Sequence, residues 1–209
     1  MGADAEHGAT LRRSQKEATR QRVLDAARDL FDTHGYLGTT IREIARRAEV
    51  SVGSVFTTFA SKGEILSEVM QARLDPLYAE IDRVMPHLRG STADRLRTMF
   101  AIHFEFEARH VRLFLSHIAA AYDWTLPAAA RPYGRTPRLQ EVIRETLEKG
   151  QAEGDVRLDI DLQEVIDLLM SAYAWTYRLV ITREADVKLL IGVMDRQIGL
   201  IAEGFAPKT

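Results

Sequence analysis

Histidine and carboxylate side chains at helical spacing could bind a metal or move protons. His103, Glu107 and His110 stand at i, i+4 and i+7, and His117 follows seven residues after His110. Seven residues of helix separate side chains by about 10 Å along the axis, too far for one ion to bridge. Only His103 with Glu107, or Glu107 with His110, could chelate, so these groups are expected in a core or a pocket and no metal is expected. The chain has no Gly-x-Ser-x-Gly elbow, no phosphate loop and no His-Glu-x-x-His pair, which are the usual parts of bond-making sites. It also has no cysteine, so disulfides, thiolate metal sites and thiol chemistry are excluded. Neither an enzyme nor a bound cofactor is expected.

Binding chemistry has more support. Thr40 stands where its hydroxyl, a free backbone amide and a helix dipole could hold a phosphate, with Arg42 and Lys62 adding charge. Aromatic residues are concentrated further on, at Phe100, Phe104, Phe106, Phe114, Tyr122, Trp124 and Tyr133, and again at Tyr173, Trp175 and Tyr177. Of these, Phe104, Phe114, Trp124 and Tyr173, together with His103, are candidates to line a cavity for an apolar or aromatic small molecule. Ordinary core packing is the other reading of the same residues.

The elements that must position these groups are all helical. Val23, Ala26, Ala27, Leu30 and Phe31 form the stripe of an amphipathic helix from about Lys16 to His34, with Gly35 as its stop. Thr40 precedes Glu43 by three residues, a capping box that opens a second helix burying Ile41, Ile44, Ala45 and Ala48. Ser51 caps a third helix with room for two turns, and Ser61 with Glu64 opens a fourth that contains Pro76 and should kink near Asp75. From Thr92 to about Tyr122 two helices should meet near His110, residues 126–137 should form a loop or a short irregular helix, and a seventh helix should run from Pro137 to Ala152 and end at Gly154. Two long apolar helices, about Asp161 to Thr182 and Glu184 to Ala202, complete an all-α fold of about nine helices, because no segment alternates with period two. The expected organisation is a flexible arm over 1–15, a three-helix domain over 16–63 with its helix-turn-helix at 40–59, and a helical body over 64–206.

Charge divides along the same boundary. Lys and Arg outnumber Asp and Glu by 10 to 6 from Leu11 to Lys62, whereas after Lys62 they trail by 18 to 22. A basic head and an acidic body suit a protein that presents one end to a polyanion, although the net charge of −2 gives no bulk attraction. The first ten residues are polar and small, and no run of 18 apolar residues occurs, so a cytoplasmic protein with no membrane partner is expected.

Residues 40–66, TIREIARRAEVSVGSVFTTFASKGEIL, carry a more specific signal. Together with His34-Gly35-Tyr36, this stretch resembles the TetR-type (tetracycline-repressor-like) family of bacterial transcription regulators. The resemblance is specific over about Lys16 to Met70 and continues more weakly through Arg112-Leu113-Phe114-Leu115 and Gly150-Gln151-Ala152-Glu153-Gly154. It implies a third helix in the DNA major groove, with Ser51 at its start, Val52, Gly53, Ser54, Phe56 and Thr57 toward the bases and Val55 and Phe59 inward. Gly53 and Ser54 would let that helix approach closely, and Thr57 could donate to or accept from a base edge. Two residues depart from the family pattern: Phe56 stands where tyrosine is usual and Thr58 where histidine is common. Phe56 cannot donate to phosphate, though it could pack on a sugar or a thymine methyl. The basic leader Arg12, Arg13, Lys16, Arg20 and Arg22 could follow the DNA backbone or remain a solvated tail.

The resemblance also implies a homodimer built from the last two helices, and one two-turn helix reads too few bases to act alone. Val187, Leu190, Ile191, Met194, Ile198 and Ile201 supply a stripe for that interface, with Gly192 and Gly199 permitting close approach. The expected partners are thus double-stranded DNA with a near-palindromic operator, a second copy of the chain and a small-molecule effector. The competing expectations are a helical enzyme or carrier that ignores DNA, and a DNA-bound regulator controlled by a protein.

Overall fold

The computed structural model describes residues 3–121, 138–183 and 185–205. Among them every regular element is helical: α1 (Ala3–Gly38), α2 (Ile41–Arg47), α3 (Val52–Thr58), α4 (Lys62–Val84), α5 (Thr92–Glu107), α6 (Val111–Ala121), α7 (Arg138–Glu153), α8 (Leu162–Thr176), α9 (Arg178–Arg183) and α10 (Val187–Phe205). The all-α expectation therefore stands. Two compact units divide the chain, one formed by residues 1–73 with 110–135 and the other by residues 74–109 with 136–209.

The first unit grows from the capping chemistry read in the sequence. At the head of α2 the Thr40 hydroxyl accepts from the Glu43 amide at 3.2 Å, and the Glu43 carboxylate accepts from the Thr40 amide at 2.7 Å. Ser51 does the same work for α3, accepting from the Ser54 amide at 3.0 Å. These bonds satisfy amides that the first turn leaves without helical partners. Val23, Ala27 and Phe31 of α1, Ile44 and Ala45 of α2, Val55 and Phe59 at α3, and Ile65, Leu66 and Met70 of α4 are all buried. They make one apolar core. The turn between α2 and α3 puts Glu49 at φ 55, a left-handed conformation, and lets the Val50 amide reach the Ala45 carbonyl at 3.0 Å.

Helix α1 is described from Ala3, so residues 3–15, expected as an arm, continue it; Gly35 breaks its geometry at φ 75 and ψ 165. The unit also differs from the expected boundary at residue 63, because α6 packs against α1. The Tyr36 amide donates to Ser116 Oγ at 3.2 Å within this contact. Helix α4 is continuous through Pro76; the proline removes one N–H, and the bonds on either side keep the segment helical.

In the second unit the beginning of α5 is locked to the end of α7. Asp155 accepts from the Thr92 amide and hydroxyl at 2.6 and 2.7 Å, and buried Arg95 pairs with Glu153 at 2.6 Å. Gly150 is required there, since a Cβ would lie 2.1 Å from Thr92 Oγ1. Gly154 ends α7 at φ 83, as expected from its position.

The penultimate helix departs from the single rod expected over Asp161 to Thr182. It breaks at Tyr177 into α8 and α9, and Thr176 Oγ1 donates to the Ala172 carbonyl at 2.8 Å beside the break, a side-chain bond that competes with the helical ladder. Helix α10 starts later than expected because Asp186 accepts from the Leu189 amide at 2.9 Å and fixes the first turn.

Candidate nucleic-acid interface

Seven residues make up α3, and its two faces differ sharply. Val55 is fully buried and Phe59 nearly so, whereas Phe56 is 56% exposed and Val52 38% exposed. Ser51, Gly53 and Thr57 are also exposed, while Ser54 and Thr58 are half-buried. Val55 and Phe59 thus point inward and Val52, Phe56 and Thr57 outward, the split that the resemblance implies, while Ser54 lies between the two faces. Thr57 and Thr58 both donate to the Ser54 carbonyl at 2.9 Å. Each hydroxyl keeps its lone pairs for an incoming donor, so Thr57 enters recognition more readily as an acceptor. An exposed phenyl ring beside small polar groups forms a surface that can press on sugars and base methyls.

The phosphate candidates are less uniform. Arg42 is exposed on α2. Arg46, one turn later and also exposed, was missed by the sequence reading, although its i+4 spacing from Arg42 was available. The Thr40 hydroxyl donates to Glu43 at 2.8 Å and its amide is held by the same carboxylate, so a phosphate at this helix end must displace Glu43. Those hydrogen bonds from Thr40 hold the Glu43 carboxyl below its usual pKa range.

Lys62 has a role that spacing could not reveal. Its ammonium donates to the Tyr36 and Thr39 carbonyls at 2.7 and 2.8 Å and lies 4.2 Å from the centre of the Tyr36 ring. It clamps the end of α1, and burial pushes its pKa down. Arg20, in the basic leader, pairs with Glu68 and stacks 4.9 Å from the Phe59 ring centre. Part of the basic set thus builds the head.

The predicted pocket residues separate by unit. His103 and Phe104 on α5 and Tyr173 on α8 meet in the second unit. Tyr173 lies 5.9 Å from His103, 5.2 Å from Phe104 and 5.3 Å from Phe100, centre to centre. Tyr78, which spacing did not single out, closes on His103 from α4 at 5.7 Å. Burial lowers the His103 pKa to about 3 and raises Tyr173 well above its ordinary value. Phe114 is buried in the first unit, and Trp124 lies outside the described residues. No group of metal-binding side chains occurs among the described residues.

Half of the expected dimer stripe packs inside the protomer, while Val187, Ile191 and Ile201 stay half-buried. Leu190, Met194 and Ile198 are almost fully buried within the protomer, where α10 packs on α5 and α8. The exposed large apolar residues of these helices are Leu168 and Trp175 on α8 and Leu189 and Leu200 on α10. Leu168 and Leu200 border a groove of about 520 Å³ that Val165 and Ile201 also line, with Asp159, Asp161 and Glu164 among its polar residues. No described helix is long and apolar enough to cross a membrane.

Residues 23–69 match the family described as bacterial regulatory proteins, tetR family. The HTH-type transcriptional repressor KstR2 of Mycolicibacterium smegmatis is 28% identical over 153 residues, covering 73% of this chain and 74% of that protein. The HTH-type transcriptional regulator SrpR of Pseudomonas putida is 27% identical over 73% of this chain and 70% of its own length. Among solved structures, Thermus thermophilus FadR, described as a TetR family transcriptional repressor in complex with lauroyl-CoA, has a TM-score of 0.74 and 26% identity, covering 91% of this chain and 96% of that one.

Proposed function

We propose, from the match of residues 23–69 to the tetR family of bacterial regulatory proteins, that this chain is a repressor holding a near-palindromic operator until a small molecule binds its helical body. The observation that carries the reading is α3, with Val55 and Phe59 anchored inward and Phe56 and Thr57 facing out. In this reading Val52, Gly53, Ser54, Phe56 and Thr57 meet the bases. Thr40, Arg42, Ser51, Thr58 and Lys62 position the phosphates, Thr40 after release of Glu43. The protein works in the cytoplasm and performs no catalysis.

A second copy doubles the recognition surface. Leu168, Trp175 and Leu200, exposed on α8 and α10, form the apolar part of the interface together with the half-buried Val187, Ile191 and Ile201 of the stripe. The three-helix head over 16–63 and the body over 64–206 divide the roles, with any contact from residues 1–15 adding backbone affinity.

Effector binding acts through α4, the helix that carries Lys62 at its start and Tyr78 on its later turns. A shift at the Tyr78 and His103 contact is transmitted along that helix to the Lys62 clamp, coupling effector and operator affinities. Selection of duplexes from a random pool at near-physiological salt tests the whole reading. Enrichment of an inverted repeat is expected. A folded dimer that enriches nothing would overturn it in favour of a helical carrier or enzyme, and an effector that leaves operator affinity unchanged would overturn the coupling.

A further inference from the structure

His103 Nε2 is buried and has no hydrogen-bond partner in the protein. The whole side chain is 2% exposed, so solvent does not compensate it. Buried polar atoms of this kind are rare and call for an explanation such as a bound molecule. The surroundings are rings from three helices: Tyr78 and Tyr173 meet the imidazole in T-shaped pairs at 66° and 77°, and Phe100 and Phe104 flank Tyr173.

Resting on the ligand-responsive reading above, we propose that the effector is an uncharged, mainly aromatic molecule whose single hydroxyl or carbonyl hydrogen-bonds His103 Nε2 within the rings of α4, α5 and α8. Charge selects against an anion there. Glu107 is buried one turn after His103, and its charge raises the pKa of both Tyr78 and Tyr173. Glu141 adds to the negative potential at Tyr78. A cation near Tyr78, Arg138, is held by Asp82 and by Glu145 at 3.1 Å. His103 itself supplies no positive charge near neutrality, since burial keeps the imidazole unprotonated. Tyr177 faces Tyr173 at 5.3 Å and brings no cationic group. A neutral imidazole can donate to a carbonyl or accept from a hydroxyl, according to its tautomer.

The test uses the whole chain of 209 residues with 2-naphthol, naphthalene and 2-naphthoate as probes, followed by calorimetry and by the ring-nitrogen resonances of 15N-histidine-labelled protein. We expect 2-naphthol to bind, to move the His103 Nε2 resonance, and to bind about tenfold more tightly than either naphthalene or 2-naphthoate. His103→Phe should lose that tenfold preference over naphthalene, and His103→Gln should restore part of it; thermal melting of both variants separates lost recognition from lost folding. Equal affinity for naphthol and naphthoate, an unmoved His103 resonance, or no binding of naphthol by the folded protein would each overturn the proposal. None of these readouts uses DNA, so the operator selection can fail while this proposal stands, or succeed while it falls.

Discussion

Lys62 holds Tyr36 twice, with its ammonium 2.7 Å from the Tyr36 carbonyl oxygen and 4.2 Å from the centre of the Tyr36 ring. The contact joins the first turn of α4 to the end of α1, where carbonyls lack helical partners. A residue expected to act on phosphate is therefore also a part of the fold that presents the recognition helix.

Lys62→Ala should consequently do two things. Losing two charge-assisted hydrogen bonds at a half-buried position should cost about 1–2 kcal/mol of stability. If the ammonium also neutralises a phosphate, the slope of log affinity against log salt should flatten by about one. Urea melts and operator titrations at several salt concentrations separate the two; a stability loss with an unchanged slope would leave Lys62 a structural clamp alone.

Glu49 holds φ 55 in the turn between α2 and α3, a conformation that costs a side-chain-bearing residue more than it costs glycine. Glu49→Gly should stabilise the protein by roughly 0.5–1 kcal/mol after the added freedom of the unfolded chain is counted. Denaturant melts at fixed protein concentration read the difference, and a loss of stability would mean that the Glu49 side chain contributes more than its backbone strain costs.

Phe56 and Val55 are adjacent but face opposite ways. Truncating the exposed ring in Phe56→Ala should change stability by less than about 0.5 kcal/mol, yet weaken operator binding more than binding to random duplex. Val55→Ala should instead cost about 2 kcal/mol, because it leaves a cavity under the recognition helix. Thermal melts beside paired titrations of operator and random DNA decide this, and equal losses on the two DNAs would remove Phe56 from base recognition.

Acid should unfold the protein through its buried histidines. Burial lowers His103 to about 3 and His117 to about 4, while both take up protons near pH 6.5 once unfolded. The unfolded chain therefore binds more protons as pH falls from about 6.5 toward 4, and stability drops by about 1.4 kcal/mol per pH unit for each histidine. His103→Phe or His117→Phe should each flatten that limb of a stability curve measured by urea melts. An equally steep limb in both variants would assign the acid loss to carboxylates.

Sequence by itself determined the helices of the head, because Thr40 with Glu43, Ser51 with Ser54 and the glycine at position 35 act within a few residues of one another. The family resemblance of residues 40–66 implied which face of α3 is outward, and the burial of Val55 and Phe59 beside exposed Phe56 and Thr57 agrees with it. Tertiary structure decided what covers each apolar face. The stripe of Leu190, Met194 and Ile198 reads equally well as a dimer seam or an internal contact, and packing assigned it to the protomer core. Lys62 beside Tyr36, and His103 between Tyr78 and Tyr173, likewise join residues far apart in the chain. Local spacing fixes which way a side chain points from its helix, but the neighbour it meets depends on how distant helices pack.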